Sequence, residues 1–374
     1  TQHRDEIAQA YLDAILAVSP GVPPPGGRVR DVRVVYTSLH GVAGGLMLRA
    51  IERAGYPAPY VVPAQAEPDP DFPTVSFPNP EEPGALDLAL ASARELEADL
   101  VLASDPDGDR LAVAVPDPAA SGGWRKLTGD QVGGLLGAFV LDAASDQADP
   151  DQADRAQAAA DQRLAATTVV SSSLLSRIAE SAGVHYAETL TGFKWIVRAA
   201  DHRPGTRFVF GYEEALGYAV GDVVRDKDGI SAAIALLGLA AQAWAAGQSL
   251  LDRWDALEIA HGVHLTAQLT LPTRAPGEIM AGLRAAAPGT LGKAAVRSVT
   301  DLARGGELPP TDALILRLDG ARVVLRPSGT EPKLKAYLEV TEPVAPGGLA
   351  EARRRAGSRM TPLRAAVGAL LAPA

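Results

Sequence analysis

No cysteine occurs in the 374 residues, which excludes disulfide bonds, thiolate metal sites and cysteine nucleophiles and leaves the redox compartment open. Basic residues are also short: 35 Lys and Arg face 45 Asp and Glu, a formal net charge of −10. Such a chain has no basic stripe for a nucleic-acid backbone, so no nucleic-acid partner is expected and any cation-bearing loop gains weight. The six histidines are scattered. The one close pair, His261 and His264, enters a strand-like stretch from Val263 to Leu269 with no third ligand nearby, which does not match zinc spacing. The polar start, Thr1 to Glu6, lacks the profile of a secretory leader. One apolar run, Ile230 to Gly247, reaches about the length of a membrane span. It is rich in alanine, contains Ser231 and Gln242, and is bounded by Asp226, Lys227 and Asp228 on one side and Asp252 and Arg253 on the other. A buried helix is the expected form, with no membrane partner and a cytoplasmic location.

The length implies two or three domains, and 47% hydrophobic with 21% charged residues fits a folded globular chain. Helical spacing over residues 5–18 stops at the Pro/Gly-rich stretch from Pro20 to Gly27. Strands are expected at 32–36, 60–62, 100–103 and 111–115, with helices through Ala54 and over 84–97. The pattern restarts after Trp124: helix 129–142, strand 167–170, helix 172–182, strands 185–187 and 208–210, and the long helix 230–247. Short strands alternating with helices argue for an α/β layered structure with a largely parallel sheet. Residues 143–163, rich in Ala, Asp and Gln, read as an exposed insertion. From His261 the order changes to strand, helix, a strand pair (313–318 and 322–325), a strand at 334–340 and a final helix, an α+β arrangement with hairpins. Boundaries are expected near 22–124, 125–256 and 257–374, with residues 1–21 as the tail of something preceding.

Strand 100–103 runs into Ser104-Asp105-Pro106-Asp107-Gly108-Asp109-Arg110. Three carboxylates at alternate positions, turned by Pro106 and Gly108, can point at one hard cation, and oxygen donors suit Mg²⁺ or Ca²⁺ over soft metals. An EF-hand would need glycine and glutamate at loop positions six and twelve, where Arg110 and Pro116 stand. An acidic surface turn is the plainer alternative, but Arg110 beside three carboxylates suits a site that also holds phosphate.

A second polar loop, Arg326-Pro327-Ser328-Gly329-Thr330-Glu331, follows strand 322–325. It joins a guanidinium fork to two hydroxyls and a glycine that lets backbone N–H groups converge on an anion. It is not a Walker loop, since no Gly-Lys-Ser/Thr opens a helix. After strand 208–210, Gly211-Tyr212-Glu213-Glu214-Ala215-Leu216-Gly217 sets adjacent carboxylates where they can accept from neighbouring sugar hydroxyls; alone, such a pair is also a common solvated turn. Upstream, Thr191-Gly192-Phe193-Lys194 places a lysine in a loop, and Asp226-Lys227-Asp228-Gly229 is the weakest of the polar loops.

Taken together and in this order, these loops resemble the motifs of the α-D-phosphohexomutases, the family of phosphoglucomutases and phosphomannomutases. Thr37-Ser38-Leu39-His40-Gly41 and Phe77-Pro78-Asn79-Pro80-Glu81-Glu82-Pro83 further resemble the bacterial branch related to phosphopentomutases and glucose-1,6-bisphosphate synthases. The resemblance implies two α/β/α layered domains with mixed sheets and a C-terminal α+β domain with an antiparallel sheet: the family's second, third and fourth domains, whose loops meet at a cleft. It implies reversible phosphoryl transfer between C1 and C6 of a hexose phosphate through a phosphoserine and a 1,6-bisphosphate. Mg²⁺ would sit on Asp105, Asp107 and Asp109, with Arg110 beside the phosphoserine. Lys194 would contact substrate and assist proton transfer. Thr191, Gly192, Glu213 and Glu214 would bind the sugar, and Arg326, Ser328, Gly329 and Thr330 the non-reacting phosphate. Glucose 1,6-bisphosphate is the implied activator and a hexose phosphate the implied substrate; oligomeric state stays open.

Two departures stand out. Ala215 replaces a common serine, leaving sugar preference open. The family's Thr-Ala-Ser-His-Asn-Pro loop does not occur, and Ser38 is not expected to replace its serine, so this chain alone is expected to be inactive. A phosphopentomutase, a glucose-1,6-bisphosphate synthase and a non-catalytic sugar-phosphate binder are the alternatives.

Overall fold

The computed structural model describes residues 4–22, 32–146, 162–273, 275–328 and 332–371. Two compact units emerge: the described residues of Thr1–Thr167, Leu175–Glu188 and Gly192–Trp254 form one, and those of Thr168–Leu174, Thr189–Thr191 and Asp255–Ala374 form the other.

The first unit begins with α1 (Arg4–Val18), β1 (Val34–Thr37), α2 (Gly44–Arg53), β2 (Tyr60–Val61), α3 (Asp87–Glu95), β3 (Leu100–Ser104), β4 (Leu111–Pro116) and β5 (Trp124–Lys126). Their sheet runs β2-β1-β3-β4-β5, parallel from β2 through β3 and antiparallel from there to β5. β1 and β3 are buried along their whole length, which is why they read as continuous apolar runs without alternation. The second sheet, β7-β6-β8-β9, is built from β6 (Arg163–Thr168), β7 (His185–Thr189), β8 (Arg207–Glu213) and β9 (Gly217–Val220). α4 (Gly129–Asp146), α5 (Leu174–Ser181), α6 (Phe193–Ile196) and α7 (Gly229–Ala245) accompany it. β6 and β8 are parallel and β9 turns back antiparallel to β8, so both sheets are mixed.

α7 is the long apolar helix, buried at every residue from Gly229 to Ala240. Its small residues let neighbouring elements approach on all sides, the situation of a core helix. Among the described residues no single helix is long and apolar enough to cross a membrane; α7 and α8 (Leu250–His261) qualify only as a pair bent by 91°. α1, expected as a tail, packs into this unit: Leu12 and Ile15 are fully buried, and the Tyr11 hydroxyl donates to the Asp228 carboxylate at 2.8 Å.

The structure differs from the sequence expectations at several places. The strand expected at 167–170 is β6, Arg163–Thr168, hidden because Ala165 and Ala166 have low strand propensity yet fit a fully buried position between two strands. β9 was not anticipated. The stretch 143–163 is partly regular, since α4 continues to Asp146 and β6 starts at Arg163; residues 147–161, like 23–31 of the Pro/Gly-rich stretch, lie outside the described residues.

The second unit carries the six-stranded sheet β10-β15-β14-β13-β12-β11: β10 (Val263–Pro272), β11 (Thr290–Leu291), β12 (Ala294–Asp301), β13 (Leu314–Leu318), β14 (Ala321–Pro327) and β15 (Lys333–Glu342). Every pairing is antiparallel. β11 and β12 were also missed. α9 (Pro276–Ala285) and α10 (Leu349–Leu371) complete the unit. Ala352, Ala356, Met360, Leu363, Val367 and Leu371 form one apolar stripe of α10 and share a core with Leu316, Leu325 and Leu338, as three- and four-residue spacing requires.

One charged knot is buried in this unit. Glu339 Oε1 accepts from Ser172 Oγ at 2.8 Å and the Ser173 amide at 2.7 Å, and lies 3.2 Å from His264 Nδ1. Its other oxygen is 3.2 Å from the Arg322 guanidinium, which also donates to the Ser171 carbonyl at 2.6 Å. Burial alone would raise this carboxyl, but the bond to His264, the Arg322 charge and the Ser173 amide bring it down to about 2.

Candidate active site

β3 and β4 pair as a tight antiparallel connection, Ser104 opposite Leu111, and the six residues between them form the acidic loop. The carboxylate oxygens of Asp105, Asp107 and Asp109 all lie within 4.8 Å of one another, so the alternate spacing does converge. Asp105 is the buried member, 6% exposed. Its Oδ1 accepts the Arg110 amide at 3.0 Å, and the Arg110 side chain stands 3.6 Å from Oδ2. Burial pushes the Asp105 carboxyl up to about 6, and the Asp109 and Asp107 charges add to this, against the lowering pull of the Arg110 amide and guanidinium. Like charges gathered around a buried carboxyl disfavour its ionised form.

The sugar loop meets this one directly. Arg110 and Gly217 form an isolated antiparallel bridge, and the Leu111 amide donates to the Leu216 carbonyl at 3.1 Å, stitching the mouth of the acidic loop to the β8–β9 turn. Leu216 holds a left-handed φ of 65° in a fully packed position, a conformation costing of order 1–3 kcal/mol that the surrounding structure must over-determine. Glu213 closes β8; its Oε1 accepts the Gly192 amide at 2.7 Å. Burial raises the Glu213 carboxyl, while the Gly192 amide and the nearby Lys227 and Arg110 charges oppose the rise. Glu214 follows, half-buried, its carbonyl packed so closely on Gly129 that a Cβ there would lie 2.0 Å away.

Lys227 is the residue that sequence reasoning undervalued. Its ammonium is 2.5 Å from Asp109 Oδ2, and it lies within the electrostatic reach of Glu213. What puts it there is the start of α7. Asp228 caps the helix, accepting from the Ile230 amide at 3.0 Å. Gly229 then presses against the acidic loop, where a Cβ would come 2.5 Å from the Arg110 carbonyl and 2.7 Å from that of Gly108. The signal was legible in principle: an N-capping aspartate and a glycine ahead of a long apolar helix, with one lysine among acids.

The other expected residues are distributed differently. Lys194 is exposed on α6, its ammonium 5.6 Å from the centre of the Trp195 ring. Thr191 groups with the second unit and Gly192 with the first. Arg326 and Ser328 are half-buried in the second unit, at the end of β14 and just after it, and the Ser328 amide donates to the Lys333 carbonyl at 2.9 Å, closing that loop's neck. Gly329 and Thr330 lie outside the described residues. The first unit thus gathers Asp105, Asp107, Asp109, Arg110, Glu213 and Lys227. Ser38 is fully buried and its hydroxyl donates to the Gln65 carbonyl at 3.2 Å.

This arrangement, an acidic loop and a paired-glutamate loop on two mixed sheets followed by an antiparallel domain, defines a class. Family models match in order: the phosphoglucomutase/phosphomannomutase α/β/α domain II over residues 9–121, its α/β/α domain III over 128–257, and its C-terminal domain over 290–356. The chain belongs to the phosphoglucomutase/phosphomannomutase family, whose members are phosphomutases.

Among individual relatives, it is 39% identical over 342 residues to a Haemophilus influenzae protein named "Probable phosphomannomutase", covering 90% of this chain and 64% of that protein. It is 35% identical to the phosphopentomutase of Mus musculus, covering 83% and 53%. A Burkholderia thailandensis phosphoglucomutase/phosphomannomutase family structure superposes with a TM-score of 0.63 at 20% identity, over 96% of this chain and 64% of that one, a likeness of fold. The chain thus spans between about half and two thirds of the length of these relatives.

Proposed function

We propose that this chain carries the metal-, sugar- and phosphate-binding portion of a phosphohexomutase that interconverts the 1- and 6-phosphates of a hexose. The observation that carries the reading is the acidic loop of the first unit: three carboxylates within 4.8 Å of one another, one of them buried and held well above its ordinary value, with Lys227 and Arg110 at its edge. Hard oxygen donors with balancing cations beside them fit Mg²⁺, and Asp105, Asp107 and Asp109 would hold it. When bound, the ion supplies charge stabilisation to a transferring phosphoryl group.

The chain's own residues do the rest. Arg110 presents a guanidinium, a third exposed, to phosphate oxygens. Glu213, fixed by the Gly192 amide, turns its second oxygen to a sugar hydroxyl, and Glu214 receives a neighbouring one. Lys227, paired with Asp109, would offer its ammonium to a phosphate oxygen. Lys194 contacts substrate and assists proton transfer, while Arg326, Ser328, Gly329 and Thr330 hold the phosphate that does not react. Glucose 1,6-bisphosphate serves as intermediate and activator. The phosphate-carrying serine is not among these 374 residues, so purified chain given glucose 1-phosphate and the bisphosphate should show no turnover in a coupled assay; robust turnover refutes that assignment.

The likeness to a probable phosphoribomutase of Schizosaccharomyces pombe and to the phosphopentomutase of Mus musculus favours a second reading, a pentose phosphate substrate. Kinetics of the complete protein over glucose, mannose and ribose phosphates decides it. A kcat/KM at least tenfold higher for ribose phosphate would displace the hexose assignment.

A further inference from the structure

Beneath the acidic loop lies a turn that the proposed chemistry does not use. β1 ends at Thr37, and the chain then passes through Leu39 at φ 48° and His40 at φ 62°, two successive non-glycine residues in the left-handed region. Both are buried. Each peptide group of the turn is tied. The Leu39 amide donates to Thr37 Oγ1 at 3.1 Å, the His40 amide to the Gln65 carbonyl at 3.1 Å, and the His40 carbonyl accepts from Asp69 at 3.0 Å. The His40 ring completes the lock. Nε2 is 2.8 Å from Thr74 Oγ1, which also accepts from Gln65 Nε2 at 2.9 Å, while Gln65 Oε1 accepts from Thr37 Oγ1 at 2.7 Å. The ring meets Phe72 edge-on at 6.5 Å.

A conformation this unfavourable persists only where its surroundings over-determine it, and its product is visible one residue later. Gly41 lies so close to the acidic loop that a Cβ would fall 2.3 Å from the Pro106 carbonyl oxygen, and the Val42 amide donates to that same oxygen at 2.7 Å. Ala43 continues the contact under Gly108, where a Cβ would meet its own at 2.2 Å. Pro106 and Gly108 are the residues between the three aspartates. The turn therefore sets the backbone from which those carboxylates project.

We infer that His40 is a positioning residue: bonded to Thr74, it holds Leu39 and His40 in the left-handed form that lets residues 41–43 clamp Pro106 and fixes the mutual spacing of Asp105, Asp107 and Asp109. Its consequence for cation binding rests on the metal reading given above; its effect on the loop does not. The role acts through the backbone, at a site whose own ligands are untouched.

The test compares His40→Ala, His40→Asn and Thr74→Val in the full chain. Hydrogen exchange of the peptide covering residues 104–111, thermal melting and Mn²⁺ affinity by calorimetry are measured on each. Asparagine tolerates the left-handed region better than alanine does, so His40→Asn should retain more of the wild-type behaviour. The expected result is a rise of about tenfold in exchange confined to residues 104–111 for His40→Ala, a smaller rise for His40→Asn and Thr74→Val, and a fall of about tenfold in Mn²⁺ affinity for His40→Ala (about 1.4 kcal/mol). Exchange at 104–111 unchanged in folded His40→Ala and Thr74→Val overturns the inference. So does a rise spread evenly over the chain, the mark of general destabilisation. Should Mn²⁺ ignore both wild type and Asp107→Asn while loop exchange still follows His40, the positioning role stands and the metal reading fails.

Discussion

Asp105 in the first unit and Glu339 in the second are both carboxylates withdrawn from water, and their surroundings move them in opposite directions. Glu339 has a guanidinium, an imidazole, two hydroxyls and an amide around it and drops to about 2. Asp105 has the Arg110 amide and guanidinium, set against two further carboxylates, and rises to about 6. The first is a completed network whose members are matched within the fold, the kind that contributes to a unique structure. The second is left short of positive charge, and groups kept that way in a folded protein concentrate at functional sites. A buried acid alone is uninformative; what surrounds it separates scaffold from site.

The comparison breaks most visibly at Glu339. Glu339→Ala leaves Arg322 buried without its carboxylate and is expected to cost about 3–5 kcal/mol, read as a lowered urea midpoint; a change under 1 kcal/mol would contradict the network's assigned weight. Acid provides the same contrast without mutation. Because the folded Glu339 carboxyl lies below its unfolded value of 4.5, its contribution is fully present above about pH 5 and is lost as pH falls towards 2, on the order of 3 kcal/mol. The Glu339→Gln variant should lack that component of the pH profile.

Arg326→Ala should weaken hexose-phosphate binding by about tenfold or more, roughly 1.5–3 kcal/mol for a charge-assisted bond, and leave Mg²⁺ affinity unchanged in calorimetric titration. Equal loss of both would argue against separate metal and phosphate loops. Asp105 has the opposite sign from Glu339. Its folded value is above 3.8, so its ionisation costs stability as pH rises through about 6. In cation-free buffer at neutral pH, Asp105→Asn should stabilise the fold by on the order of 1 kcal/mol once solvent screening is discounted, while weakening cation binding. The smallest effect is expected at Tyr11→Phe, which removes a donor to the Asp228 cap: about 1 kcal/mol in urea unfolding.

Much of the fold was legible because the chain states it locally. Alternating apolar strands and helices define the layered part, and the Asp-x-Asp-x-Asp spacing on a strand-to-strand turn is enough to say that three carboxylates face one point. The strands that were misplaced or missed, β6, β9, β11 and β12 among them, depend on partners rather than on composition. β6 is alanine-rich and exists because β8 lies beside it; β12 carries Arg297, Ser298 and Asp301 among its few apolar residues and is held by pairing with β13. At the candidate site, Asp105, Glu213 and Gly192 were named from motif chemistry. Lys227 was passed over, since nothing in Asp226-Lys227-Asp228-Gly229 says which loop α7 will touch.

Residue order therefore settles which groups can bind what: a hard-cation cage, a carboxylate pair, a guanidinium and hydroxyl cradle. Long-range packing settles which of them meet. Gly229 against Arg110, Gly217 opposite Arg110 and Gly41 under Pro106 join segments tens to more than a hundred residues apart, and the first and last of these contacts are allowed by a missing side chain that makes sense only once the other segment is in place. Spacing along a strand or turn is a property of neighbouring residues; close approach between distant backbones comes from the folded chain.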